Sequence, residues 1–339
     1  MSELIVLTCA SGKQCSHLIP LLYDQSKYKL RLVVNSTASS ERLQKQYPKA
    51  EVVQANLDFP QDCARILEGA TVIYYIGPPF TWKETYYGTN VVDAAVSESK
   101  KPGSKFAHFV FSSVLHPELT KLLNHDRKRY VEEHLTESML PYTILQPSHF
   151  TDNAIGQLIA QKDADHPVFK APHSAQTAFS FTSLHDYAEA SAKVIQERSK
   201  HFYATYQLVS TLPIKYTEYI KSIGDAMGKD VEIQEVPYEQ SVGNFCERMF
   251  GSRDDVSQTL RDGPERLVLY YNHRGLYSNP NILEWLIGRT GSSPADVAKR
   301  YSAFQNSVNL SSLPRGLQPQ LFEMAVCRAG CNSNFLKRR

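Results

Sequence analysis

Between the aliphatic stretch Leu4–Leu7 and an apolar stretch from Ser16 to Leu22, the chain reads Thr8-Cys9-Ala10-Ser11-Gly12-Lys13-Gln14-Cys15. A short strand, a turn of small residues and a helix in that order can bind a pyrophosphate. The backbone N–H groups at the helix N-terminus point at the anion, and the helix dipole favours it. Set against the pattern G-x-x-G-x-x-G, only the middle position, Gly12, is a glycine; Cys9 and Cys15 hold the outer two. Cysteine is small enough to replace a glycine that serves helix packing, but it is costly where the turn needs a positive φ. An altered turn is therefore expected. Because many strand-turn-helix units share this outline, Gly12 alone leaves cofactor binding open.

A second group of residues bears on which dinucleotide would fit. Lys29–Val34 reads as a strand, and the residue at the end of that strand meets the adenosine ribose in such a fold. A carboxylate there binds the 2′-hydroxyl of NAD, whereas a cation accommodates the 2′-phosphate of NADP. Asn35 does neither job decisively. Arg42 and Lys45 fall in a helix expected to start at Ser39 or Ser40 and run to Tyr47, and either could reach a 2′-phosphate. The pattern leans to NADP without excluding NAD, and the same cations read equally well as an exposed helix face. His149 offers different chemistry, since an imidazole of ordinary pKa near 6.5 can donate or accept a proton near neutrality. It reads as well as a hydrogen-bonded lining residue. Tyr74, Tyr75, Phe80, Trp82, Tyr86 and Tyr87 crowd the end of one strand and suit an apolar wall for a flat substrate, although several must be core.

The elements that position these residues follow from the β-branched runs and their breakers. Glu51–Ala55 is a third strand, ended by Asn56-Leu57-Asp58, and Thr71–Ile76 is a fourth, which Gly77-Pro78-Pro79 forces the chain to leave. A helix over 86–99 precedes a fifth strand, Phe106–Phe111, which delivers Ser112 and Ser113. A charged helix over 126–137 carries Lys128, and a sixth strand, Pro141–Leu145, delivers Gln146-Pro147-Ser148-His149-Phe150. Strands alternating with helices predict an α/β fold, a Rossmann-type doubly wound parallel sheet whose ligands bind beyond the carboxyl ends of the strands. After Phe150 the alternation loosens, as expected of a smaller C-terminal substrate lobe. The expected division is a dinucleotide-binding domain over 1–153, with a returning segment around 181–210, a substrate lobe with C-terminal helices over 154–325, and a tail over 326–339.

With 42% hydrophobic and 21% charged residues among 339, the chain is not a disordered one. Its net charge of +2 carries no electrostatic footprint for nucleic acid. No stretch reaches the roughly 20 apolar residues that span a bilayer, and the N-terminus runs into a strand without a charged leader, so a cytoplasmic location is expected. Six cysteines in a chain of this length then read as reduced thiols. Cys327 and Cys331 lack His or Cys neighbours, and no metal site is expected.

Several of these stretches together resemble the NmrA-like branch of the atypical short-chain dehydrogenase/reductases. They are Asn56-Leu57-Asp58, the Pro78-Pro79 turn, Gly88 with Asn90-Val91-Val92-Asp93-Ala94-Ala95, and Phe109-Val110-Phe111-Ser112-Ser113. Leu140 to Pro147, Asp152-Asn153, Phe181 to Tyr187, Tyr206 to Val209, Tyr271 to Gly275 and Asn279 to Arg289 extend the similarity over most of the chain.

The resemblance implies an NADP-dependent oxidoreductase acting on a small, apolar or aromatic metabolite, as many fungal proteins of this type do in specialised metabolism. It places the cofactor across Thr8, Ser11, Gly12, Lys13 and Gln14. Asn35 or Arg42 would lie near the adenosine, Asn56 and Leu57 by the adenine, and Gly77, Pro78 and Lys128 by the nicotinamide half. Lys128 matches the family's lysine that binds nicotinamide ribose hydroxyls and favours the deprotonated form of a nearby acid. Ser113 stands where related enzymes place a substrate-polarising hydroxyl, and His149 is a third candidate for catalysis. Conventional members carry a tyrosine four residues before the lysine; here that position is Asn124. Two further readings therefore stay open. One is a non-catalytic sensor of the dinucleotide with a protein partner, as the family's name-giving member suggests. The other is a cofactor-free cyclase or isomerase on the same fold, which Cys9 and Cys15 would suit.

Overall fold

The computed structural model describes residues 2–23, 25–78 and 81–307. Cys327, Cys331 and Phe80 lie outside the described residues. The chain opens with β1 (Glu3–Leu7), α1 (Lys13–Tyr23), β2 (Tyr28–Val34), α2 (Thr37–Gln46), β3 (Glu51–Gln54) and α3 (Pro60–Leu67). It continues through β4 (Val72–Ile76), α4 (Glu84–Ser99), β5 (His108–Ser112), α5 (Leu123–Glu137) and β6 (Tyr142–Pro147). Then follow β7 (His149–Phe150), α6 (Asp152–Ile159), β8 (Val168–Ala171), β9 (Ala178–Phe179), β10 (Phe181–Thr182) and α7 (Leu184–Glu197). β11 (Ala204–Leu208), β12 (Ile214–Lys215), α8 (Tyr216–Met227), β13 (Glu232–Glu235), α9 (Tyr238–Phe250), α10 (Gln258–His273), α11 (Asn281–Ile287) and α12 (Pro294–Ser307) complete it.

These elements form two compact units. The first takes the described residues up to Thr120, with 124–147 and 188–207; the second takes 121–123, 148–187 and the described residues from 208 onward. In the first, the main sheet runs in the order β11-β6-β5-β4-β1-β2-β3. β1 to β6 pair in parallel, with Ile5 opposite Leu30 on one side and Val72 on the other. This is the doubly wound order, and the expected fold class holds. Strands covered on both faces read as continuous apolar runs, and Ile5, Val6, Leu7, Val72 and Ile73 are fully buried. No helix among the described residues is long and apolar enough to cross a membrane.

Three local expectations need correction. The second helix starts at Thr37, not near Ser40, because Ser36 is its N-cap and accepts from the Ser39 N–H. From sequence Tyr238 to Thr259 reads as one helical stretch, but Gly251 adopts a left-handed φ of 81° and ends α9, and α10 begins only at Gln258. The aromatic wall is divided. Tyr74 and Tyr75 are 1% exposed and belong to the core, and the Tyr74 hydroxyl meets Ser191, whereas Trp82 and Tyr86 face solvent. A fully covered strand sends alternate side chains into both faces, so neighbouring tyrosines cannot line one surface.

In the second unit, β7 pairs with β10, β8 with β13 and β9 with β12. Phe181 stacks on Tyr219 with centroids 4.1 Å apart, at the centre of an aromatic core that includes Phe179 and Tyr216. Asp186 is fully buried and receives hydrogen bonds from Ser210 Oγ, Arg289 Nη2 and both the backbone N–H and the hydroxyl of Ser292. These bonds tie the segment before α12 to the start of α7.

In the first unit α5 approaches α4 closely at Gly88. A Cβ at Gly88 would sit 2.4 Å from Val131 Cγ2 and 2.7 Å from its Cγ1, and a branched valine has no rotamer that clears both. Gly88→Ala should therefore lower stability by about 1–3 kcal/mol through overpacking, and Val131→Ala in the same chain should recover part of it. Denaturant midpoints of the single and double variants check this.

Candidate dinucleotide and active site

The strand order reverses between β1 and β4, and in a doubly wound sheet the crevice for a ligand opens beyond the carboxyl ends of those two strands. Thr8 closes that point. Its fully buried hydroxyl accepts from Ile76 N–H at 2.7 Å and donates to Ile76 O at 2.9 Å, and its own N–H reaches Tyr74 O at 3.2 Å. The Thr8 side chain thus serves the frame.

Cys9 follows in the left-handed region at φ 47°. The expectation that cysteine stands in only for a packing glycine needs correction here, because Cys9 makes the strained turn itself. The strain costs about 1–3 kcal/mol for a residue with a Cβ and persists where the surroundings over-determine it. Those surroundings are the Gly12 N–H on Cys9 O at 2.9 Å, the Ala10 N–H on Val33 O at 3.0 Å and Arg42 Nη2 at 3.5 Å from Ser11 O. Cys15 does behave as a packing residue, fully buried with its thiol 3.6 Å from Thr8 O. Gly12 is exposed, and Lys13 begins α1, whose first-turn N–H groups need acceptors from outside the helix. These are the N–H groups that an anion at the turn would meet.

On the β2 and β3 side, Asn35 is exposed and its carbonyl accepts from Gln54. The contact with Ser11 draws the Arg42 guanidinium toward the turn, while Lys45 is exposed on α2. Asn56 accepts the Asp58 N–H on its side chain. Leu57 points into the core, 8% exposed, with its carbonyl held by Asn90 Nδ2 at 3.0 Å. It therefore offers a ligand no free side chain.

On the β4 to β6 side the polar groups are buried. Gly77 is buried beside them, and a Cβ there would lie 3.0 Å from Tyr75 Oη and 3.8 Å from Glu84 Cγ; Pro78 follows it. Lys128 of α5 contacts the carboxylate of Glu84, in the first turn of α4, which is 2% exposed. Ser112 Oγ donates to Gln14 Oε1 at 2.8 Å, joining β5 to the first turn of α1. Ser113 is 5% exposed, and Gln146 Nε2 reaches both oxygens of Glu132 at 3.0 and 3.1 Å. Burial raises the pKa of Glu132, against hydrogen bonding from Ser113 and Gln146. Burial lowers Lys128 to about 8, against the charges of Cys9 and Glu132. The Glu84 carboxylate in contact acts in the same upward sense, so the ammonium is the form at neutral pH. Burial also pushes the Cys9 thiol up to about 11, which keeps it neutral.

Sequence reading missed Glu84 and Glu132, and it gave Gln146 and the Tyr75 hydroxyl no polar role. The four-residue spacing of Lys128 and Glu132 was a usable signal. Glu84 gave none, because the helix was expected to start two residues after it.

His149 belongs to the second unit, while Lys128, Ser113 and the turn residues belong to the first. Its ring lies 5.6 Å from Phe179 and from Phe181, and its Nε2 is 3.3 Å from the Tyr216 hydroxyl. Burial, then His173 and Arg248, take its pKa down to about 3. The expected titration near neutrality is corrected by this environment: the imidazole stays neutral and can act only as a neutral hydrogen-bonding group.

The model of the NmrA-like family matches residues 1–258. Quinone oxidoreductase 2 of Escherichia coli strain K12 is 24% identical over 296 residues, spanning 86% of this chain and 96% of that protein. Among solved structures, the NADPH complex of an Escherichia coli NADPH-dependent quinone oxidoreductase is similar with a TM-score of 0.68 at 20% identity, over 87% of this chain and 98% of that one. A Citrobacter sp. triphenylmethane reductase complexed with NADP(H) has a TM-score of 0.68 at 20% identity, over 87% and 99%. The negative transcriptional regulator NmrA in complex with NAD has 0.69 at 14%, over 92% and 98%. At such identities the structural likeness is one of fold.

Two outcomes follow for the folded chain. Cys9→Val, which puts a β-branched residue at a positive φ, should lower stability by at least about 1–2 kcal/mol, whereas Cys9→Gly should not; thermal melts separate them. His108 and His149 are held at about 3 and His125 and His173 at about 4, each mainly by burial. The unfolded chain, titrating near 6.5, takes up these protons first, so the stability is present above that pH and lost as pH falls toward 4. Each imidazole adds about 1.4 kcal/mol per pH unit to the slope. His108→Gln should flatten the slope by that amount in denaturant titrations between pH 6 and about 4.5.

Proposed function

The chain belongs to the NmrA-like family, and from that premise we propose that it is an NADPH-dependent oxidoreductase that reduces a small conjugated, apolar acceptor in specialised metabolism. The observation that carries the reading is that one unit holds both a left-handed turn leading from β1 into the N-terminus of α1 and a buried Lys128 on the helix that follows β5. The acceptors named for the relatives, a quinone and triphenylmethane dyes, are conjugated, which supports a conjugated acceptor.

On this reading residues 1–153, with the segment around 181–210, hold the dinucleotide, and residues 154–325 form the substrate lobe. The N–H groups of Ser11, Lys13 and Gln14 take the pyrophosphate, Gly12, whose own N–H is held by Cys9 O, leaves room for it to approach, and Thr8 keeps the strand ends together beneath them. Asn35 meets the adenosine and Arg42 the 2′-phosphate, with Asn56 and the backbone of Leu57 beside the adenine. Gly77, Pro78 and Lys128 meet the nicotinamide half. When bound, NADPH supplies the hydride. Lys128 donates to ribose hydroxyls and holds a proton at Nζ for an acceptor oxygen, and Ser113 Oγ polarises that oxygen; His149, the third candidate, is a neutral hydrogen-bonding group of the second unit.

Asn124, in place of the tyrosine of conventional members, favours a second reading, a dinucleotide-sensing regulator with a protein partner. Cys9 makes the turn a glycine would make, so the cysteines give no reason to prefer cofactor-free chemistry.

Isothermal titration of the purified chain with NADPH and NADH, beside loss of NADPH absorbance with a quinone, tests the proposal. Gly12→Trp should abolish binding in a folded protein. Arg42→Ala should weaken NADPH by about tenfold or more, equivalent to about 1.4 kcal/mol, and leave NADH unchanged. Binding without turnover of any quinone or dye would favour the sensor; no binding by the wild type would overturn both readings.

A further inference from the structure

We propose that Glu84 is the positioning residue of Lys128, fixing the ammonium against α4 and keeping it protonated, so that the pair and not the lysine alone is the proton-holding element of the site. The proposal rests on the reductase reading for its meaning in turnover; the pairing itself is tested without turnover.

Most ion pairs in this chain have at least one well-exposed partner; this one does not. The Glu84 side chain is 2% exposed and that of Lys128 12%. Withdrawing two charges from water costs several kcal/mol per ion, and a buried pair often contributes less stability than apolar residues of similar volume would. A pair kept in such a place is therefore weakly explained by stability.

The fold makes the meeting of the two side chains obligatory. Gly88 lies one turn beyond Glu84 and Val131 nearly one turn beyond Lys128, and it is at Gly88 and Val131 that the helices come too close for a Cβ. Thr85 Oγ1 donates to Arg127 O at 2.9 Å, which ties the first turn of α4 to the second turn of α5. Glu132 faces Lys128 from the next turn of α5 and adds its charge to the environment of the ammonium, but it is hydrogen-bonded by Gln146, whereas Glu84 makes the direct contact with the ammonium. Cys9 faces it from the turn after β1 as a neutral thiol, with Tyr75 of β4 behind, a buried phenol whose pKa burial raises. Glu84 is thus the carboxylate in contact.

The carboxylate is only half used. Glu84 Oε2 is buried and has no hydrogen-bond partner among the described residues, and the Tyr75 hydroxyl, on the other side of the missing Gly77 side chain, has none either. A purely structural carboxylate at this depth would be expected to have both oxygens satisfied. An acceptor with one oxygen to spare beside a buried ammonium suits a group that must take up a hydrogen bond only when the site is filled.

The test uses the full chain with 15N-labelled lysine. Titration of Lys128 Nζ by NMR, assigned by loss of its signal in Lys128→Arg, should give a pKa lower by about one to three units in Glu84→Gln than in the wild type, and near the wild-type value in Glu84→Asp. The basic limb of the pH profile for kcat/KM in NADPH-dependent quinone reduction should move down by the same interval, with rescue by Glu84→Asp. A folded Glu84→Gln protein whose Lys128 titrates as in the wild type would overturn the proposal. If Glu84→Gln does not fold, the charge-free Glu84→Gln/Lys128→Met chain should regain the lost stability, because no unpaired buried charge remains; failure to regain it makes Glu84 a structural bracket and overturns the proposal. Absence of NADPH binding and turnover in the wild type would defeat the reductase reading, and the NMR titration would still decide the pairing.

Discussion

The Thr8 hydroxyl takes a hydrogen bond from the Ile76 N–H and returns one to its carbonyl, closing the ends of β1 and β4 where the strand order reverses. A parallel sheet must separate its strands at that point to admit a ligand, and separated strand ends leave backbone groups unpaired. One buried hydroxyl resolves both demands. It satisfies the Ile76 backbone, lets Cys9 turn away into the left-handed region, and leaves Gly77 close against Tyr75 and Glu84. The candidate cofactor turn and the candidate lysine both depend on that closure.

From there the polar groups are arranged by desolvation. Lys128, Glu84, Glu132 and Cys9 are all largely removed from water, which amplifies each charge interaction among them. Burial alone would let Lys128 lose its proton near neutrality; the contact with Glu84 opposes that loss. The same burial makes Cys9 an inert thiol and leaves Glu132 dependent on its bonds from Gln146. The close helix crossing at Gly88 and Val131 is the mechanical counterpart, because a separation of α4 from α5 would expose the pair and relax its charge state together.

The second unit handles burial differently. Its centre is aromatic, with Phe179, Phe181, Tyr216 and Tyr219 packed around His149 and His173. Imidazoles in such surroundings stay neutral, which turns a sequence candidate for proton transfer into a hydrogen-bonding group. Asp186 is the opposite case: a fully buried carboxylate whose pKa is held below the usual range by His185, Arg289 and Ser292 despite its burial, and which ties two distant segments together.

The succession of strands and helices, the place of the small-residue turn after β1 and the family resemblance could all be read from residue types. Alternation of β-branched runs with helices, and breakers such as Gly77-Pro78, are local signals, and parallel pairing follows from them by connection rules. What remained hidden was whatever depends on a neighbour far along the chain. Cysteine at position 9 reads as a poor glycine until the contacts from Val33 and Arg42 are seen to hold it at positive φ. Glu84 reads as a helix-start carboxylate until a missing Cβ at Gly88 brings α5 against it. His149 reads as a titrating base until Phe179, Phe181 and His173 surround it. Local sequence determines conformation because steric preference is local; charge state and strain are decided by tertiary structure, because desolvation is a property of everything packed around a group.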